Sequence, residues 1–193
     1  MSKILLHICC APCALGVIPY LKKRFSRVSC LFFNPNIHPF LEFQKRLHSA
    51  KLLAENLKDT DFHFIEEYGL FKFLPAVIRR LERRCEVCYR LRLGFTAKFA
   101  KKNTFDSFTT TLLTSKHQNL NLIRQIGRRF EHLFGVKFLD EDLRFLHNAS
   151  LQEAKHLNLY RQKYCGCIFS EYERFSPHNP TEPPSQVPNL PIS

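Results

Sequence analysis

Apolar residues come along this chain in two alternating patterns, short unbroken runs and longer stretches in which they recur every three or four positions. KILLHI (residues 3–8), VSCLFFN (28–34), DFHFIEE (61–67), SFTTTLLT (107–114) and VKFLDED (136–142) are of the first kind and predict buried β-strands. Residues 14–25, 41–57, 68–82, 85–103, 121–135 and 148–159 are of the second kind and predict helices with one apolar face. Gly135 is placed to cap the helix before it, and Asn148 or Ser150 to open the one after. Pro19 fits its helix only near a first turn or at a kink.

Strands that are apolar throughout and separated by helices predict an α/β fold. The expected form is a doubly wound, mainly parallel five-stranded sheet of Rossmann type with helices on both faces. Ligands of such folds bind beyond the carboxyl ends of the strands. That rule puts HICC, FFNPN, the end of TTTLLTSK and LDED on one functional edge. Residues 1–175 then form one domain. The segment 176–193, with six of the 11 prolines and almost no large apolar residue, is expected to be a disordered tail.

Composition narrows the class of partner. Of the 193 residues 45% are apolar, enough for one substantial core. The 29 Lys and Arg exceed the 17 Asp and Glu by 12 and are spread along the whole length, which favours an anionic partner, nucleic acid first. No apolar run approaches the ~18 residues of a membrane span. The start lacks signal-peptide organisation, so a cytoplasmic location is expected.

In a reducing compartment clustered cysteines point to metal ligation or redox chemistry rather than to structural disulfides. Seven of the eight cysteines fall in three clusters: Cys9, Cys10 and Cys13; Cys85 and Cys88; Cys165 and Cys167. Cys30, alone in an apolar run, reads as a core residue. The first turn after the first strand, CCAPCALG, has one late glycine and so is a poor phosphate cradle. A helix beginning near Pro12 would instead favour thiolates there. Cys85 and Cys88 share a helix face, and Gly166 lets Cys165 and Cys167 turn toward one point. One tetrahedral site or one 4Fe–4S cluster takes four ligands, so seven cysteines predict two centres. On an extended chain Cys9 and Cys10 would point to opposite sides and feed different centres. The three-cysteine centre would need one more ligand, Asp140 or Asp142, or would keep a position open. The competing role for these acids is helix capping or pairing with Arg144.

HICCAPC, FFNPNIHP followed by EFQKR, RCEVCYRLRL, FTTTLLTS and LYRQKYCGC together closely resemble the QueH family of epoxyqueuosine reductases, from about Lys3 to Phe169. The resemblance implies a cobalamin-independent oxidoreductase that reduces epoxyqueuosine at the tRNA wobble position to queuosine. It implies a 4Fe–4S cluster, an adjacent mononuclear iron or zinc, and a nucleotide-hydrolase-like fold ending in a cysteine-containing segment. Matched positions are His7, Cys9, Cys10, Cys13, Cys85, Cys88, Tyr164, Cys165, Gly166 and Cys167, with Asp142 matching the acidic ligand. Two departures stand out: FLHNAS after Asp142, and the short basic IRRLERR where family members commonly carry a longer acidic insertion.

If the substrate is an epoxide, the reaction needs two electrons, loss of oxygen as water, and a proton source. Tyr164, Lys163, His7 and His38 are the candidates for the last role. Each also has an ordinary reading: core histidine, turn histidine, phosphate contact or packing ring. The arginines of RRLERR, RLR, IRQIGRRF and YRQK are candidate phosphate contacts for a tRNA with a queuosine-type anticodon. Phe33, Tyr89 and Tyr160 could stack on bases, and Thr109, Thr110 and Thr111 could hydrogen-bond one. The competing functions are a structural zinc protein that binds RNA and an ATP-dependent tRNA sulfur-transfer enzyme. The ligand surplus argues against the first and the missing glycine-rich loop against the second. The sequence names no electron donor.

Overall fold

The computed structural model describes residues 2–177. Five strands, β1 (Lys3–Ile8), β2 (Arg27–Phe32), β3 (Asp61–Phe64), β4 (Ser107–Thr110) and β5 (Lys137–Phe138), form one sheet in the order β3-β2-β1-β4-β5. Every pairing is parallel, with His7 opposite Leu31 on one side and Thr110 on the other. The expected α/β sheet is present, parallel throughout. β1 is central, and its residues Ile4–Ile8 are all buried, which is why KILLHI is apolar on both faces.

Among the described residues seven helices surround the sheet: α1 (Ala11–Lys22), α2 (Phe40–Asn56), α3 (Leu70–Ile78), α4 (Arg84–Lys102), α5 (Leu120–Phe134), α6 (His147–His156) and α7 (Ile168–Phe175). α1 packs against α2 and α6, and α4 against α3 and α5, so the helices form two separate layers. Right-handed crossovers of a sheet that grows outward in both directions from β1 put one layer on each face. The order reverses between β1 and β4, so a crevice opens there at the carboxyl ends of the strands. α1 and α6 approach closely because Gly16 has no side chain: a Cβ there would lie 2.2 Å from Ser150 Oγ.

Several boundaries differ from the sequence pattern, each for a local reason. β4 stops at Thr110, whose hydroxyl accepts from the Leu112 N–H, and TLLT becomes a 3-10 turn. FLDED leaves the sheet after Phe138, where Asp140 turns to Arg124 and Arg128. The stretch 68–82 breaks after Ile78 into a second 3-10 turn, Leu81–Arg83, before α4. Pro19 lies well inside α1, and Pro12 in its first turn. Gly135 does cap α5, at φ 65°. Neither Asn148 nor Ser150 caps α6; Ser150 donates back to the Leu146 carbonyl instead. α7 is an addition, with Cys167 as its N-cap accepting from the Ser170 N–H. Cys30 is fully buried, as its apolar setting suggests. The expected tail lies outside the described residues except for Ser176 and Pro177. Among the described residues no helix is long and apolar enough to cross a membrane.

Candidate metal centre

β1 ends at Ile8, the chain bends at Cys9, and Cys10 leads straight into α1 with an extended backbone (φ −167°, ψ 159°). Strict strand alternation therefore does not carry across the vicinal pair. The sulfurs of Cys9 and Cys10 lie 3.8 Å apart, and with Cys13 they form a set of three within 4.8 Å of one another. The pair does not point to opposite sides. Thr111, from the turn after β4, closes the other side: its hydroxyl accepts the Cys9 N–H at 3.2 Å and donates to the Cys9 sulfur at 3.4 Å. Hydrogen bonds from Cys10 and Cys13, with smaller contributions from Thr111 and the nearby Arg92 charge, hold the Cys9 thiol well below its ordinary range. Cys10 is pushed well up, by its bonds to Cys13 and Cys9 and by burial. Of the three sulfurs Cys9 gives up its proton most readily, and a bound cation would displace the protons of the others. Three soft donors held this close suit a metal ion with a fourth position left over.

The other four cysteines lie near one another at a second place, less closely drawn together than the first three. Cys85 and Cys88 lie in the first turn and a half of α4, and Cys165 and Cys167 in the loop that enters α7. Cys88 and Cys167 pack with Phe73 and Val77, whereas Cys85 and Cys165 are exposed. Cys85 and Cys88 each feel the charges of both Cys165 and Cys167. Burial drives the Cys88 thiol up to about 12, against the pull of Arg92.

Two buried arginines build this region. Arg46 on α2 is 1% exposed, pairs with Glu42 at 2.7 Å, and donates to the Cys165 and Tyr164 carbonyls, each at 2.9 Å. Tyr160 also donates to Glu42. The His38 N–H bonds the Gly166 carbonyl at 2.7 Å. Gly166 stands at φ +130°, and a Cβ there would meet Arg46 Nη1 at 2.9 Å, so only glycine serves between the two cysteines. Arg92, also 1% exposed, donates through Nη2 to the Cys88 sulfur at 2.9 Å. Its charge is felt by Cys165 and Cys9 as well. Two amides add weaker contacts, Gln118 to the Cys165 sulfur at 3.2 Å and Gln162 to that of Cys13 at 3.7 Å.

Arg46, Glu42 and Arg92 do not stand out in the sequence. Arg92, in RLR, reads there as a phosphate contact; its burial rules that out. The available signal was spacing, since Arg92 follows Cys88 by four on one helix, and Arg46 closes the EFQKR motif.

The candidate proton donors fare unequally. His7 is fully buried, its Nε2–H donates to the Phe33 carbonyl at 3.1 Å, and its Nδ1 accepts from Thr110 Oγ1 at 2.9 Å. Burial, helped by the Arg92 charge, lowers its pKa to about 4, so the ring is neutral with both nitrogens occupied. That is the setting of a core histidine, with its Nε2 proton committed to the Phe33 carbonyl. His38 is buried between Tyr68 and Phe73; its Nδ1–H donates to the Asn36 carbonyl at 2.8 Å and its Nε2 has no partner. Tyr164 donates to the His38 carbonyl at 2.7 Å, and burial raises its pKa. Lys163 is exposed beside them.

Asp142 lies apart from the close set of sulfurs. Its carboxylate takes the Arg144 side chain at 2.8 Å and the Arg144 N–H at 3.1 Å, and these bonds lower its pKa to about 2. Asp140 is held by Arg124 at 2.6 Å and Arg128 at 2.7 Å. The aromatics proposed for stacking are engaged in packing: Phe33 on Phe95, Tyr89 buried with its hydroxyl on Gln118, and Tyr160 on Glu42. Thr109, Thr110 and Thr111 are fully buried and bond within the protein.

Residues 4–173 match the family model described as epoxyqueuosine reductase QueH. The chain is 37% identical to the epoxyqueuosine reductase QueH of Dehalococcoides mccartyi over 179 residues, 92% of this chain and 97% of that one. It is 35% identical to the Thermotoga maritima protein of the same name over 191 residues, 92% and 95% of the two chains. The Staphylococcus epidermidis protein of that name is 31% identical over 181 residues, 87% of this chain and 76% of its own.

Proposed function

The chain belongs to the epoxyqueuosine reductase QueH family, and from that premise we propose that it reduces epoxyqueuosine at the wobble position of tRNA to queuosine, using a 4Fe–4S cluster and an adjacent mononuclear iron or zinc. The reaction balances as epoxide plus two electrons plus two protons giving alkene and water. The observation that carries this reading is the close group of three sulfurs, Cys9, Cys10 and Cys13, with Cys85, Cys88, Cys165 and Cys167 near enough to one another to feel each other's charge at a second place. Four thiolates suit the cluster, so Cys85, Cys88, Cys165 and Cys167 would hold it. Cys9, Cys10 and Cys13 would hold the single ion, whose fourth position Asp142 could take only by giving up Arg144. When bound, the cluster supplies single electrons at low potential and the ion a Lewis acid toward oxygen.

The chain's own groups do the rest. Arg46 and Glu42 hold the loop of Cys165 and Cys167 in place through the two carbonyl bonds. Of the four proton-donor candidates, Lys163 is the accessible ammonium, while Tyr164 and His38 would have to change their hydrogen bonds to take part. The tRNA would meet the exposed arginines, Arg79, Arg80, Arg83, Arg128, Arg129 and Arg161 among them. One catalytic domain over residues 1–175 acting in the cytoplasm fits this role.

The test is anaerobic purification with iron, sulfide and zinc analysis, then incubation with epoxyqueuosine-containing tRNA and a reductant, read by nucleoside mass spectrometry. A brown, iron-rich protein that produces queuosine is expected. Iron-rich protein that leaves the epoxide intact would remove the activity and keep the cluster; a colourless zinc protein without activity would leave the structural RNA-binding alternative.

A further inference from the structure

Arg92 presents a physical problem that its neighbours solve only in one way. It is 1% exposed, and a guanidinium cannot shed its charge at any ordinary pH. Burying such a group without an anion costs several kcal/mol. Arg46, the other fully buried arginine, has Glu42 at 2.7 Å. Arg92 has no carboxylate: among the described residues none forms an ion pair with it. Its Nη2 points instead at the Cys88 sulfur, 2.9 Å away, and its flank covers the Tyr89 ring at 5.9 Å. Its charge reaches Cys88 and Cys165 of one cysteine group, Cys9 of the other, and the Tyr89 phenol, which burial holds above its ordinary pKa and so in the protonated form. The anion that balances Arg92 must therefore be sulfur, and thiols supply it only when deprotonated, as metal-bound thiolates are.

We propose that Arg92 is the counter-ion of the second cysteine group, that of Cys88: a positioning residue that stabilises its thiolates and sets the reduction potential of the iron they hold, without touching substrate. This rests on the two-centre reading above. A cluster ligated by thiolates becomes more negative on accepting an electron, so a fixed cation beside its sulfurs favours the reduced form. Removing the cation makes the centre harder to reduce.

The experiment compares wild type, R92Q and R92K, each purified anaerobically and reconstituted with iron and sulfide. Iron and zinc contents are measured, and the midpoint potential is found by redox titration monitored by electron paramagnetic resonance. R92Q is expected to titrate at a more negative potential than wild type and to release metal faster to a chelator, with R92K between the two. R92Q that fails to hold iron while R92K holds it supports the same role, since the two differ in charge. R92Q at the wild-type potential with full metal content overturns the proposal, as does R92K displaced as far as R92Q, which would assign the effect to the shape of the guanidinium. Wild-type protein that takes up neither iron nor zinc would defeat the two-centre reading, and the counter-ion role with it.

Discussion

A histidine whose two nitrogens are both spent inside the core answers to pH differently from one in water. His7 has Phe33 and Thr110 as partners and a pKa of about 4, against 6.5 in an open chain. The folded-state value is depressed, so the unfolded chain binds the proton first, and stability falls as pH drops through the window from 6.5 toward 4. Between pH 7 and 5 this amounts to a loss of about 2 kcal/mol, the difference in proton binding of the two states. Urea denaturation of wild type and His7→Gln at both pH values checks it: the variant starts less stable and lacks that part of the loss. Equal losses in the two proteins would show that His7 is not buried as a neutral ring. The same engagement explains why a motif histidine two residues before a vicinal cysteine pair is a weak proton-donor candidate: its position is fixed by strand pairing, and its hydrogen bonds run inward.

At the scale of elements, the close approach of α1 and α6 depends on one missing side chain. Gly16→Ala puts a Cβ 2.2 Å from Ser150 Oγ and 3.3 Å from the Leu146 carbonyl oxygen. Overpacking of this kind costs ~1–3 kcal/mol. Thermal unfolding should show that cost in Gly16→Ala and a smaller one when Ser150→Ala is added, because removing the hydroxyl relieves the nearer clash; strict additivity would place the strain elsewhere. Since α1 carries Cys13 and follows directly on its N-cap Cys10, the same shift should loosen metal held by the three sulfurs. The helices themselves were readable from the sequence, because α1, α2, α4 and α5 keep their apolar residues at helical spacing and the strands are apolar runs between them. α7 and the early end of β5 were not, because each goes with local side-chain bonds, Cys167 to Ser170 and Asp140 to Arg124 and Arg128. The cysteines could be found by spacing alone. The arginines that organise them could not, because a buried guanidinium and a solvated one look alike in a sequence; only packing against α2 and α4 separates Arg46 and Arg92 from the exposed Arg90.

The net charge of +12 belongs to the molecule as a whole, and the structure divides it into two kinds of work. Arg46 and Arg92 are buried and serve the cysteine groups. Arg24, Arg27, Arg84 and Arg144 are tied up with Glu141, Asp61, Glu173 and Asp142. Arg79, Arg80 and Arg83 are exposed, and among the described residues no carboxylate pairs with them. They lie on the short basic link between α3 and α4, immediately before the exposed Cys85. An RNA that brings its wobble base to the metal centres would pass its phosphates over this link, and each phosphate neutralised there would release counterions. Tight binding at low salt and a steep loss with added salt are therefore expected. The triple variant Arg79→Gln, Arg80→Gln, Arg83→Gln should weaken tRNA binding and flatten the dependence of log affinity on log salt by about one for each phosphate that is no longer neutralised. Metal content and reduction potential should stay at wild-type values, because these side chains point away from the core. Filter binding or anisotropy titrations across a range of potassium chloride measure the slope. A triple variant with the wild-type slope would remove this link from the RNA path and leave the arginines of α5, Arg128 and Arg129, as the phosphate-binding face.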